Sequence, residues 1–219
     1  MHIPDGFLNI ATLATTGAVS AGGIANAVRV TGKQLKEKQV PMMGVLAAFI
    51  FAAQMLNFPI AGGTSGHFMG AALAAIILGP WAGVLIMACV LIAQCLIFQD
   101  GGLLALGANI FNMGIIGCFS SYFVYRLVTK LIPNKSNNKL IGGFIGAWAA
   151  IVLAATACAI ELAVSGASPL RVVLPAMAGV HALIGIVEGL VTVAVLGAIK
   201  ATRADLLETT KTAPEGATE

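Results

Sequence analysis

The chain has 219 residues, 58% of them hydrophobic and only 10% charged, with a mean hydropathy of +0.95. A soluble domain carries about a quarter charged residues, so a water-soluble fold is excluded and the solvent for most of this surface is a lipid bilayer. The net charge of +3 does not point to nucleic acid, because the basic residues sit in short breaks between apolar runs and form no single patch.

In chain order the apolar runs cover residues 7–30, 40–58, 67–79, 81–98, 108–131, 140–164 and 172–199. Residues 40–99 contain no Asp, Glu, Lys or Arg, and a membrane span needs about 20 apolar residues. The third run is short, rising only about 20 Å as a helix, and Gly79-Pro80 separates it from the fourth. Charge decides whether the two count separately. Lys and Arg gather at Arg29, Lys33, Lys36 and Lys38, at Arg126, Lys130, Lys135 and Lys139, and at Lys200, Arg203 and Lys211. With seven spans, all of the 12 basic residues except Arg171 fall on one side; with six, the first cluster opposes the other two. The positive-inside rule therefore predicts an all-α, polytopic membrane bundle of about seven transmembrane helices, with the N-terminus outside and the C-terminus in the cytoplasm. Residues 1–201 form the transmembrane domain, and 202–219 read as a polar, disordered cytoplasmic tail. No internal repeat is convincing.

The start of the chain lacks the basic segment of a cleavable signal peptide, so Met1 is the expected natural terminus, and the bulky His2 disfavours removal of the initiator Met. Cys89, Cys95, Cys118 and Cys158 all fall inside apolar segments without C-x-x-C spacing and read as small buried hydrophobes. In the seven-span arrangement the N-terminal hexapeptide, the glycine-rich loop 61–67 and residues 99–102 share the outer face. Non-helical backbone at membrane depth survives only where protein or a cavity satisfies it, so a site is expected there.

The chain has three histidines, His2, His67 and His181. A free α-amine on Met1, the backbone nitrogen of His2 and its ring Nδ1 can chelate one metal ion through coplanar five- and six-membered rings. One more imidazole completes a planar set of four nitrogens, which suits Ni(II) or Cu(II); zinc prefers a tetrahedron. His67, on the same face, is the candidate fourth ligand. Ligand histidines usually donate the other ring N–H to an oxygen, and Ser65, Asp100 and Asn109 are the candidate acceptors, with helix-packing contacts as the alternative role.

Met1-His2-Ile3-Pro4-Asp5-Gly6-Phe7-Leu8 and Gly66-His67-Phe68-Met69-Gly70, with the stretches 99–114 and 181–188, carry a specific likeness. The chain up to about residue 200 resembles the substrate-binding membrane subunit (S component) of energy-coupling factor nickel and cobalt transporters, the NikM/CbiM family. The resemblance implies a seven-helix subunit whose N-terminal segment inserts into the bundle and places Met1 and His2 beside His67. It further implies uptake of Ni(II) or Co(II) across a prokaryotic plasma membrane. The implied partners are a transmembrane coupling (T) component and two cytoplasmic ABC-type ATPases, with a small accessory membrane subunit as a further candidate. No G-x-x-x-x-G-K-[ST] motif is present, so ATP hydrolysis by that route is not expected of this chain, and no resident cofactor is expected either.

Several features stay open on sequence. Ligand count does not separate nickel from cobalt, although a nitrogen-rich plane and the Ile3-Pro4-Asp5 form of the terminus lean toward nickel. His181 and Glu188 share one helix face and are read first as interhelical hydrogen-bonding groups; with His67 they are the basis of an alternative intramembrane metalloenzyme. Glu161 reads as a carboxylate snorkelling to water, or as one drawing in cations. An ion-coupled carrier working alone is the other alternative function. The series Gly17, Ala21, Ala25 offers a close-packing surface either to a partner or within the bundle.

Overall fold

The computed structural model describes residues 1–34, 39–133 and 137–203. Within them the chain forms seven helical rods: α1 (Ile10–Gln34), α2 (Val40–Gln54), α3 (Ala71–Leu78), α4 (Pro80–Phe98), a composite rod, α7 (Asn138–Val164) and α8 (Leu170–Thr202). The composite rod joins α5 (Leu106–Asn109), a π-helical segment (Ile110–Ile116) and α6 (Gly117–Leu131). A two-residue hairpin, β1 (Phe58–Pro59) against β2 (Ser65–Gly66), lies between α2 and α3. The rods match the seven apolar runs in number and order. By length and composition α4, α7 and α8 are able to cross a membrane. Lys36, Lys38, Lys135 and Lys211 of the basic clusters, and residues 204–219 of the tail, lie outside the described residues.

The third run, which the sequence leaves open between a full and a partial span, forms the shortest of the seven rods. Only Ala71–Leu78 is helical, a rise of about 12 Å against a hydrocarbon layer of about 30 Å. Residues 67–70 are irregular backbone that leads down into the bundle, and every residue of α3 from Ala71 to Ile77 is buried. Depth without helical hydrogen bonds requires other partners, and two neighbouring helices supply them. Glu188 of α8 accepts the N–H groups of Met69 (2.6 Å) and Gly70 (2.7 Å), and Gln54 of α2 donates to the Met69 carbonyl (2.6 Å). A carboxylate at the start of a helix also meets the positive end of its dipole. Gly70 takes φ +79, and a Cβ there would strike the Ile50 side chain. At the other end of α3, Gly79 at φ 89 and Pro80 at the first turn of α4 reverse the chain.

Small residues set the spacing elsewhere. Gly17 of α1 packs so closely on Gly107 that a Cβ on the latter would lie 2.6 Å from its Cα. Ala21 and Ala25 are exposed. The four cysteines are free; Cys95, Cys118 and Cys158 are buried and Cys89 is exposed. Glu161 is buried and accepts a hydrogen bond from Asn112 of the π-helical segment (2.7 Å), so it does not snorkel.

Candidate metal site

The N-terminal segment is pinned into the end of the bundle before α1 begins. Asn109 holds Ile3 by both backbone groups, accepting its N–H (2.8 Å) and donating to its carbonyl (3.2 Å). That carbonyl also accepts the Gly102 N–H (2.8 Å). The Asp5 carboxylate accepts the N–H groups of Leu103, Leu104 and Ala105 at 2.8–3.1 Å. Gly102 lies so close to Asp5 that any Cβ would overlap its backbone and carboxylate. These bonds drive the first three residues inward: Met1 is 0% exposed and His2 4%.

There they meet the loop that precedes α3. The Met1 amine lies 2.8 Å from His67 Nε2. It also donates to the Ser65 carbonyl and, at 2.9 Å, to Ser65 Oγ, which accepts the His2 N–H as well (3.1 Å). The His2 and His67 rings stack with centroids 4.6 Å apart and planes 26° apart. Their outward hydrogen bonds fix the tautomers. His67 donates Nδ1–H to the Phe68 carbonyl (2.7 Å), leaving a lone pair on Nε2. His2 donates Nε2–H to Gln94 Oε1 (3.0 Å), leaving a lone pair on a buried Nδ1 that has no hydrogen-bond partner. Burial pushes the Met1 amine down from 8.0 to about 5, and His2, with the amine beside it, to about 3. At neutral pH the amine and the His2 ring are therefore uncharged, each with a lone pair on the nitrogen that chelation needs.

Each residue read from the sequence as a site residue is thus at this end of the molecule: Met1, His2, His67, Ser65, Asp100 and Asn109. The roles of three differ from the expectation. The acceptors for the histidine N–H groups are the Phe68 carbonyl and Gln94, not Ser65, Asp100 or Asn109. Ser65 instead binds the amine and the His2 amide, Asn109 grips Ile3, and Asp100 Oδ1 lies 3.4 Å from His2 Nδ1. Sequence reasoning missed Gln94, although it is the only amide in a 19-residue apolar helix. Among the described residues no group of three or more His, Cys, Asp or Glu side chains converges to hold a metal ion. His67, His181 and Glu188 therefore form no metal centre, and Glu188 is occupied by the α3 backbone.

A sequence profile of the cobalt-uptake substrate-specific transmembrane region (CbiM) matches residues 2–206. The chain belongs to this family. The NikMN protein of Archaeoglobus fulgidus is 45% identical over 211 residues, which cover 95% of this chain and 68% of that one. The cobalt transport protein CbiM of Sorangium cellulosum is 30% identical over 213 residues, 95% of each chain. A crystal structure of a truncated transition metal transporter superposes with a TM-score of 0.85 at 40% identity, covering 92% of this chain and 99% of that one. The protein is a multi-pass membrane component of cobalt or nickel uptake, not an enzyme.

Proposed function

We propose that the chain captures Ni(II), with Co(II) as the alternative substrate, in a square plane of four nitrogens: the Met1 amine, the deprotonated amide and Nδ1 of His2, and His67 Nε2. The observation that carries this reading is the pair of fixed tautomers. His67 gives its Nδ1–H to the Phe68 carbonyl and sets Nε2 beside the amine, and His2 gives its Nε2–H to Gln94 and keeps a lone pair on Nδ1. The only proton in the way is the His2 amide hydrogen, held on Ser65 Oγ. Planar nitrogen coordination favours nickel, and relatives are named for nickel and for cobalt transport.

In this reading residues 1–201 act as the substrate-specific S component of an ATP-driven energy-coupling factor transporter. A coupling T component and two ABC-type ATPases supply the energy, with a small accessory membrane subunit as a further partner; residues 202–219 are a cytoplasmic tail. The N-terminal end faces outward and the basic clusters face the cytoplasm, as the charge distribution supports. A single cysteine at position 137 in a chain lacking the native cysteines should be labelled only after the cytoplasmic side is opened. Labelling from outside intact cells overturns the orientation.

Nickel stoichiometry on three preparations tests the site. The native terminus and a tag after Glu219 should each hold one equivalent. One residue added before Met1 should hold none while thermal unfolding stays cooperative, because the amine becomes an amide and the free terminus leaves register. Equal nickel in all three rejects the four-nitrogen plane.

A further inference from the structure

The four nitrogens of the proposed plane are deeply covered, and they are not equally covered. A cavity of about 590 Å³ opens beside the N-terminal segment, and His2, Ser65, Asp100, Asn57, Asp5 and Thr64 are among the residues that line it. Met1 and His67 do not line it and are 0% and 1% exposed. An ion arriving through this vestibule therefore reaches His2 before it reaches the amine or His67.

Asp100 stands at that point of first contact. Its Oδ2 accepts a hydrogen bond from Asn57 Nδ2 (3.0 Å), and its backbone N–H is tied to the Gln94 carbonyl (3.1 Å). The carboxylate is held so that Oδ1 faces His2 Nδ1 across 3.4 Å, with the Asp100 side chain 18% exposed and that of His2 only 2%. Nδ1 has no hydrogen-bond partner, because the ring proton is on Nε2 and is given to Gln94. A nitrogen with a free lone pair and a carboxylate oxygen thus lie 3.4 Å apart with no hydrogen bond between them, an arrangement that favours a cation bound to both. First-row divalent ions bind nitrogen and oxygen donors at about 2.0–2.2 Å, so one ion can touch both atoms at this separation.

We propose that Asp100 Oδ1 and His2 Nδ1 form the loading site, where a partly hydrated divalent cation first loses water to the protein. The step is ligand exchange. The carboxylate and Nδ1 each displace one water; the ion then moves off the carboxylate as the amine, the amide nitrogen and His67 Nε2 bind, and the amide proton leaves to solvent. A hard oxygen suits the hydrated ion and the nitrogens suit the final plane. Because the carboxylate is released before the plane is complete, it lowers the barrier in both directions and contributes little to the equilibrium. This rests on the four-nitrogen reading above.

The test is stopped-flow loading and chelator-driven release of Ni(II), added as the simple salt, on the full chain with its native terminus in detergent. Asp100→Asn should slow association and dissociation together, each by about 10–1000-fold, the range by which a charged cleft alters on-rates. The dissociation constant should stay within about threefold, and the absorption spectrum of bound nickel should be unchanged. The rate difference from the unaltered chain should persist at about 1 M salt, where the screening length is about 3 Å. Asn57→Ala keeps the carboxylate but frees it, and should slow both rates by a smaller factor; it also serves if Asp100→Asn does not fold. Unchanged rates in both variants overturn the proposal, as does weaker binding with an unchanged association rate, which marks Asp100 as a ligand or support of the final site. Loss of the rate difference in high salt reduces the role to long-range attraction and also overturns it. His2→Ala separates the two readings. If it still binds nickel tightly, the four-nitrogen plane fails; if it does not, and Asp100→Asn loads normally, only the loading site fails.

Discussion

In the bundle interior, Glu188 gives both carboxylate oxygens to backbone N–H groups at the head of α3, and Gln54 donates to the Met69 carbonyl one residue away. At the N-terminal end, the Met1 amine lies against His67 Nε2 and His2 Nδ1 has no hydrogen-bond partner at all. Both regions bury polar atoms, yet in the first the Glu188 oxygens meet N–H donors and in the second lone-pair-bearing nitrogens gather. An unmade buried hydrogen bond costs about 1–3 kcal/mol. Several donor atoms set this way, on backbone held by Asn109, Asp5 and Ser65, are what the proposed cation site requires. The interior polar groups instead hold the half-helix whose leading loop carries His67. In this protein the buried polar residues of the candidate site differ from Glu188 in that lone-pair-bearing nitrogens, and not N–H donors alone, surround them.

The strongest way to break this contrast is to remove one member from each region. His2→Ala or His67→Ala should remove tight nickel binding, whereas His181→Ala should leave it in place, since His181 Nδ1 is bonded to the Met177 carbonyl on its own helix (2.7 Å). The unaltered protein should hold low-spin, diamagnetic Ni(II), read by magnetic susceptibility. Paramagnetic six-coordinate nickel, or retention by His67→Ala, removes the distinction.

A smaller effect is expected at Gln94. Gln94→Leu takes away the acceptor that keeps the His2 proton on Nε2, and should weaken nickel affinity by about 10–100-fold without changing the square-planar spectrum. Affinity equal to that of the unaltered chain shows that the ring orientation is set by stacking on His67 alone.

The finest discrimination comes from pH. With the amine lowered to about 5 and His2 to about 3, both are in their neutral forms at pH 6–8, so neither makes metal affinity vary there. The His2 amide does hold a proton, and must release it on binding. Affinity should therefore rise about tenfold per pH unit between about 6 and 8, and fall more steeply below about 5, where protons compete for the amine. A flat profile between 6 and 8 in a chelator competition titration shows that the amide keeps its hydrogen.

The order and number of the helical rods were legible in the sequence because lipid imposes a length of apolar chain on each span, and because basic residues accumulate between spans. The candidacy of Met1, His2 and His67 was also legible, since chelation by an α-amine and a second-position histidine depends on covalent connectivity, which the sequence states directly; the structure brings the three residues together. What only the tertiary structure decided depends on contacts between residues far apart in the chain. Apolar periodicity could not show that 67–70 leave the helix, because the partners that make this possible are Glu188, more than a hundred positions later, and Gln54. Nor could it assign Gln94 and the Phe68 carbonyl to the two ring protons, or turn Asp100 toward His2 Nδ1. Hydrogen-bond direction belongs to the packed arrangement of α4, the α3 loop and the N-terminal segment, and no local pattern in any one of them contains it.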